Sequence, residues 1–182
     1  MSNEASGISP ESPTKFFGVT DAIFVVLAIF IGIMVAYLGY VTFREGANTE
    51  ITKLHGEKLS AWLEQHGAER AEGKAGEVHA CDAKDAVWKD CIDALHAVGG
   101  PFADITNVND KNGKLFAAAC DHNDPDSHGA IILEKGVAKA APNSGFDYAP
   151  IADNEPLKDL LPIRVSICGR AFSVIRIKEV LF

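Results

Sequence analysis

The stretch Ala22-Ile-Phe-Val-Val-Leu-Ala-Ile-Phe-Ile-Gly-Ile-Met-Val-Ala-Tyr-Leu-Gly-Tyr-Val41 contains no charged side chain. At 1.5 Å per residue it makes a helix about 30 Å long, the thickness of a bilayer's hydrocarbon core. A cleaved secretory signal has a shorter apolar run, a basic start and a small-residue cleavage site, and this stretch fits none of these well. It reads as a transmembrane helix over residues 20–43. Tyr37, Tyr40 and Phe43 fall near its far end, where aromatic side chains gather at the headgroups. Ahead of it, residues 1–19 form a polar head with Gly, Pro and Ser that reads as a flexible tail. Behind it, residues 44–182 amount to one ordinary domain.

Two features of the span bear on partners. Ala28, Gly32 and Ala36 recur every four residues, which puts small side chains on one stripe where another helix can approach closely. Gly and Ala are also common in membrane helices for no such reason, and both readings stay open. Asp21 stands at the edge of the apolar run, as an interfacial carboxylate or as an electrostatic contact within an assembly.

The chain carries 25 acidic against 17 basic side chains, a formal net charge of -8, and no basic block. Nucleic-acid binding needs a positive stripe, so nucleic acid is not an expected partner. Lys15 lies before the span and Arg44 and Lys53 after it, so basic residues do not orient the helix. The four cysteines do. None forms a C-x-x-C pair, so zinc is a weak reading. Four reduced, buried thiols are one reading of them. Outside the cytoplasm they would pair as disulfides, and of the three possible pairings Cys81–Cys91 with Cys120–Cys168 is preferred. The first closes a short helical segment and the second spans a β-rich region. This places the head in the cytoplasm and residues 44–182 as an extracytoplasmic domain, periplasmic or extracellular, on an inner (plasma) membrane.

Within the domain, Ile51, Leu54, Leu59, Trp62 and Leu63 fall at helical spacing, and no proline interrupts residues 22–66. One long helix is expected to begin in the membrane and lay its second half on the domain. Residues 67–76, rich in Gly, Ala, Glu and Lys, read as a loop. Asp82 could cap a second helix with Ala83, Val87, Cys91 and Leu95 as its apolar stripe, stopped by Gly99-Gly100-Pro101. Strands follow. Asp110-Lys-Asn-Gly113 reads as a turn with positive φ before a strand over 114–120. Residues 130–133 read as a short strand, 143–156 as turn-rich, and 163–168 and 172–177 as two strands joined at Gly169-Arg170. The fold class is therefore α+β: a long N-terminal helix, transmembrane in its first half, then a small helical region and an antiparallel sheet.

Asp121-His-Asn-Asp-Pro-Asp-Ser-His-Gly129 is the densest cluster of ligand-type residues. Asp121, Asn123, Asp124 and Asp126 could supply oxygens to calcium, and His122 and His128 could favour a transition metal. Pro125 and the missing distal glutamate break the helix–loop–helix calcium pattern. Asx residues and proline equally build a tight connection, and a solvated hairpin loop is the preferred reading. His55, His66, His79 and His96 are scattered, and Trp62 and Trp88 read as core anchors. There is no phosphate-binding Gly loop, no G-x-S-x-G elbow, no H-E-x-x-H helix and no haem motif, so no enzyme and no cofactor are expected.

The junction into the span resembles a type IV pilin or pseudopilin. Lys15 precedes Phe17, Asp21 stands where that family has a glutamate, and Tyr40 and Phe43 follow the apolar run. The wider layout is similar as well: a long helix, a helical region, a sheet and a late cysteine pair. Phe16 departs from the pattern, standing where the family's leader peptidase takes a small residue. The resemblance implies a non-enzymatic filament subunit whose helix packs against copies of itself, with Asp21 pairing with a neighbour's N-terminal amine. Two other readings stand beside it. One is an accessory or stator-type subunit of a larger membrane complex, which Asp21 at the start of a single span also resembles. The other is a membrane-tethered ligand-binding domain or enzyme. The bilayer and other transmembrane helices are the expected partners.

Overall fold

The computed structural model describes residues 18–74, 76, 78–83, 85–140 and 144–182. The apolar stretch lies in the first half of helix α1 (Val19–Ala71), 53 residues long. The polar head through Phe17, with the leader-like Lys15, Phe16 and Phe17, lies outside the described residues, as does Asn143. Contacts divide the chain between Thr42 and Phe43, and the second unit, Phe43–Phe182, holds every other element. In order these are α2 (His79–Asp82), α3 (Trp88–His96), β1 (Phe116–Ala117), β2 (Ile131–Ala138), β3 (Phe146–Pro150), β4 (Pro162–Cys168) and β5 (Val174–Leu181). This is the α+β arrangement of a long helix, a small helical region and a sheet.

The buried face of α1 is only in part the stripe the large apolar residues suggest. Ile51 and Leu54 are exposed, whereas Thr52, Gly56, Leu59, Ser60, Leu63, His66 and Gly67 are buried. Leu59 and Leu63 of the expected stripe are fully buried, and small residues (Thr52, Gly56, Ser60, Gly67) take the other buried positions where the helix lies close on the sheet. A Cβ at Gly56 would come 3.1 Å from Ile177 and 3.2 Å from Ile167. The same closeness carries the helix through Gly67, where a loop is expected from composition. It stops one turn later. Gly73 takes a φ of +72°, its N–H reaches the Arg70 carbonyl at 2.8 Å, and the Lys74 N–H reaches the Glu69 carbonyl at 2.9 Å. Those two crossed bonds at a left-handed glycine satisfy the terminal carbonyls, and Arg70 adds a cation to the last turn.

The second helix expected from the sequence is two helices. Asp82 ends α2 rather than capping α3, and its carboxylate accepts the Gly76 N–H at 2.6 Å. Val87 is extended and bridges to Pro156. The first amides of α3 donate to backbone carbonyls instead of a side-chain cap: Trp88 to Glu155 at 2.8 Å and Lys89 to Asp153 at 3.0 Å.

β2 is the hub of the sheet. It pairs antiparallel with β4 (Ile131↔Ile167 to Lys135↔Ile163) and with β3 (Glu134↔Pro150 to Ala138↔Phe146). β4 pairs antiparallel with β5, with an irregularity between Val165 and Ser166. β1 is much shorter than 114–120 and runs parallel to β2 (Phe116↔Ile131), so the sheet is mixed at that edge. The Asp110–Gly113 turn forms by the Gly113 N–H donating to the Asp110 carbonyl at 2.9 Å, and neither Asn112 nor Gly113 takes a positive φ. The stretch read as turn-rich contains β3, which Gly145 introduces with a φ of +103°. Leu59, Leu63, Trp88, Cys91, Leu95, Ile163, Val165, Ile167 and Phe182 form the middle of the core.

Candidate functional site

Along the apolar half of α1, the large side chains from Ile23 to Tyr40 are between 45% and 66% exposed, and none of its most apolar stretch is buried. Leaving one such side chain in water rather than an apolar medium costs about 1.5–3 kcal/mol. Summed along the helix, the cost exceeds the roughly 5–15 kcal/mol that holds an ordinary domain together. The helix is long and apolar enough to cross a membrane. Ala28, Gly32 and Ala36 lie on this uncovered helix, and a Cβ at Gly32 would meet nothing within 4 Å.

Asp21 has a local partner. Gly18 stands just before the helix and Asp21 is its third residue. The Asp21 carboxylate accepts the Gly18 N–H at 3.2 Å, and the Ala22 N–H donates to the Gly18 carbonyl at 3.2 Å. This is half of a capping box, which places a negative charge at the positive end of the helix.

Both disulfide pairings expected from the sequence are present. Cys81 and Cys91 have Cα atoms 4.5 Å apart, and Cys120 and Cys168 5.1 Å apart. The first ties α2 to α3, and the second ties the end of β4 to the segment after β1.

In the acidic loop the Asp121 and Asp124 carboxylates accept backbone N–H groups of the loop itself. Asp121 Oδ1 accepts the Asn123 N–H at 2.8 Å and its side-chain amide at 3.1 Å. Asp124 caps the turn Pro125–Ser127 by accepting the Asp126 N–H at 3.3 Å, and it pairs with Lys114 at 3.0 Å. The Ser127 hydroxyl, fully buried, donates to the Asp124 carbonyl at 2.7 Å. Among the described residues no three His, Cys, Asp or Glu side chains are grouped to hold a metal ion. Asp121, Asn123, Asp124 and Asp126 lie in a loop of Asx turns that is not a hairpin, because it joins the parallel strands β1 and β2. The rings of His122 and His128 face Phe172, with centroids 5.8 and 5.5 Å from it.

The remaining histidines are not brought together. His66 is buried against Trp62, with ring centroids 4.1 Å apart, and His96 contacts the Ile105 carbonyl at 2.8 Å. Burial, and then the neighbouring Lys58, hold the His55 imidazole below its ordinary value of 6.5. As the pH falls, the unfolded chain therefore binds a proton at His55 before the folded one does. The contribution of the neutral ring is complete above pH 6.5 and is lost as the pH falls toward the folded value. His55→Gln is expected to reduce the drop in melting temperature between about pH 7 and pH 5. An unchanged drop would remove His55 from the acid response.

Sequence reasoning missed Asn107. It is 1% exposed, and its side-chain amide donates to the carbonyls of Lys114 and His128, both at 2.9 Å, while its oxygen accepts the Asn109 N–H at 3.0 Å. Asn109 in turn accepts from Asn48 of α1 at 2.9 Å. The run Asn107-Val-Asn109-Asp110 was the available signal, since such side chains take over backbone hydrogen bonds in loops. Asn107→Ala removes a buried side chain and leaves the Lys114 and His128 carbonyls and the Asn109 N–H, all in partly buried bonds, without that partner. It is expected to cost about 2–3 kcal/mol in denaturant unfolding. A cost below about 0.5 kcal/mol, within the scatter of surface substitutions, would deny it this role.

A recess of about 320 Å³ between α3 and β1 is lined by Trp88, Ile92, His96, Leu115, Phe116 and Leu133, with the Lys89–Asp93 pair on its rim. No protein-family model, no curated protein and no solved structure matches this chain.

Proposed function

We propose that this chain is a membrane-anchored structural or assembly subunit, pilin-like in layout. Its apolar helix packs against other transmembrane helices, and its domain makes protein contacts on the oxidising side of an inner (plasma) membrane. The observation that carries the reading is the uncharged helix from Ala22 to Val41, exposed at every residue from Ala22 to Tyr40. An apolar surface of that extent needs lipid or other helices around it. The small-residue stripe Ala28, Gly32 and Ala36 supports helix packing, because between helices in lipid close contact replaces the missing hydrophobic drive. The paired cysteines support an extracytoplasmic domain, since thiols in the cytoplasm are kept reduced. The N-terminus is then cytoplasmic.

Asp21 fits either form of assembly. Its carboxylate sits at the helix start, where a neighbour's amine in a filament, or a cation on another subunit, could compete with the Gly18 N–H for it. An accessory or stator-type subunit of a larger membrane complex uses the same parts. The deciding experiment compares where the native protein goes. Recovery in sheared surface filaments, with a new N-terminus near Phe17, supports the pilin-like form. Co-purification with a detergent-solubilised complex, with the head retained, supports the accessory form. A monodisperse monomer under both conditions, unchanged by Gly32→Ile, would overturn the assembly reading altogether.

A further inference from the structure

The turn after β4 holds two of the three non-glycine residues with positive φ among the described residues. Ala171 (φ 53°, ψ 33°) and Phe172 (φ 55°) are consecutive non-glycine residues in the left-handed region. Such a conformation persists where its surroundings hold it, and it is a common mark of a functional segment. Here the turn is closed by the Gly169 N–H on the Ser173 carbonyl at 2.8 Å and the Ser173 N–H on the Arg170 carbonyl at 3.1 Å. Behind Phe172 stand the rings of His122 and His128. Phe172 stays half-exposed, and Val174 beside it is 55% exposed.

The position of this turn along the chain's path is constrained by one contact. Arg170 Nε lies 2.8 Å from Glu45 Oε2. Glu45 is four residues beyond Val41, the last residue of the apolar stretch. Along a helix that is a rise of about 6 Å. Even a fully extended chain could not carry Glu45 more than about 14 Å away. The headgroup layer beyond the hydrocarbon is itself about 5–8 Å deep on each side. The Asn48–Asn109 contact holds a second loop to the same stretch of α1.

We propose that the turn Arg170–Phe172 lies in the headgroup layer of the bilayer, with Arg170 on lipid phosphate and Phe172 at the top of the acyl chains. It gives the domain a second lipid contact beside its helix. This rests on the reading of Ala22–Val41 as a membrane span. A guanidinium has five N–H donors and Glu45 engages Nε, and a phosphate is a ligand that the planar fork fits. An aromatic ring next to a basic residue is the composition that membrane interfaces favour. Phe43, 75% exposed, lies closer still to the apolar stretch and shares this chemistry.

The test places the full-length protein in phosphatidylcholine vesicles whose acyl chains are brominated either near the headgroup or near the methyl end. The tryptophan substitutions F172W and, in case the first does not fold, Ser173→Trp report on the turn. F30W reports on the span. Emission from Trp62 and Trp88 is subtracted with the parent protein. The proposal predicts that F172W or Ser173→Trp loses emission with shallow bromines and little with deep ones, while F30W is quenched by deep bromines. Quenching of F30W with none at the turn would overturn the proposal and leave the span intact. Absence of quenching at F30W would overturn the span reading itself. A turn unquenched by lipid, with emission that depends on protein concentration, would assign it to a second copy of the chain and overturn the lipid contact.

Discussion

Replacing Cys120 and Cys168 together with alanine is expected to cost the domain about 4 kcal/mol, and replacing Cys81 and Cys91 about 3 kcal/mol. The difference follows from chain entropy. The first bond closes a separation of 48 residues and the second a separation of 10. The freedom removed from the unfolded chain grows with the logarithm of that length. The longer loop contains β2, β3 and β4, so opening it frees the sheet that α1 rests on. Alanine is preferred to serine because Cys91 and Cys168 are fully buried, and a hydroxyl there would add an unsatisfied group. In detergent micelles, the Cys120/Cys168 variant should melt roughly 10–15 °C below the parent. A drop of only a degree or two would mean that the native fold does not depend on this cross-link, and the compartment assigned from it would lose its support.

Gly67→Ala is the second large effect, and its sign is the opposite of what helix propensity gives. In an exposed helix interior, glycine to alanine gains up to about 1 kcal/mol. At Gly67 the new Cβ would stand 2.3 Å from the Leu181 carbonyl oxygen and 2.6 Å from the Phe182 Cα. Both are backbone atoms, so the helix or the end of β5 must move. Phe182 is fully buried, with its ring 6.0 Å from those of Trp62 and Trp88 and under the Arg70 guanidinium at 4.9 Å. Displacing it loosens that cluster, and a net loss of about 2–3 kcal/mol is expected. Gly46→Ala is the control, because a Cβ there meets nothing within 4 Å. It should be neutral or stabilising in the same unfolding experiment. Equal effects at the two glycines would mean that α1 does not lie against the chain's last residues as described.

Where the sequence is legible, one physical signal dominates. The uncharged run from Ala22 to Val41 and the proline-free stretch after it announce α1, and the alternation Ile163, Val165, Ile167 announces β4. The illegible parts are those decided by distant contacts. Gly67 looks like a loop residue because the reason for it, the backbone of Leu181 and Phe182, lies more than a hundred residues away. Thr52 and Gly56 escape notice beside Ile51 and Leu54, because only small residues fit where the helix comes closest to the sheet, while Leu59 and Leu63 follow the apolar pattern. The start of α3 has no side-chain cap to read, since the carbonyls of Asp153 and Glu155 satisfy its amides. Of the candidate site residues, the even number of cysteines leaves three pairings open, and the elements they join favour the pairing seen. The acidic loop is not readable, since ligand-type oxygens and Asx-turn oxygens are the same atoms. Asn107 is signalled only by the Asx-rich run it begins, and the left-handed pair Ala171 and Phe172 has no local signature.

The central claim is that α1 crosses a bilayer in its first half. An alkaline carbonate wash of native membranes, followed by detergent, addresses this directly. Peripheral proteins leave with the wash, whereas a helix with about twenty apolar residues in the hydrocarbon stays until the bilayer is dissolved. The chain is predicted to remain wholly in the washed membranes and to appear in solution only with detergent. Its release by carbonate alone would contradict a spanning helix.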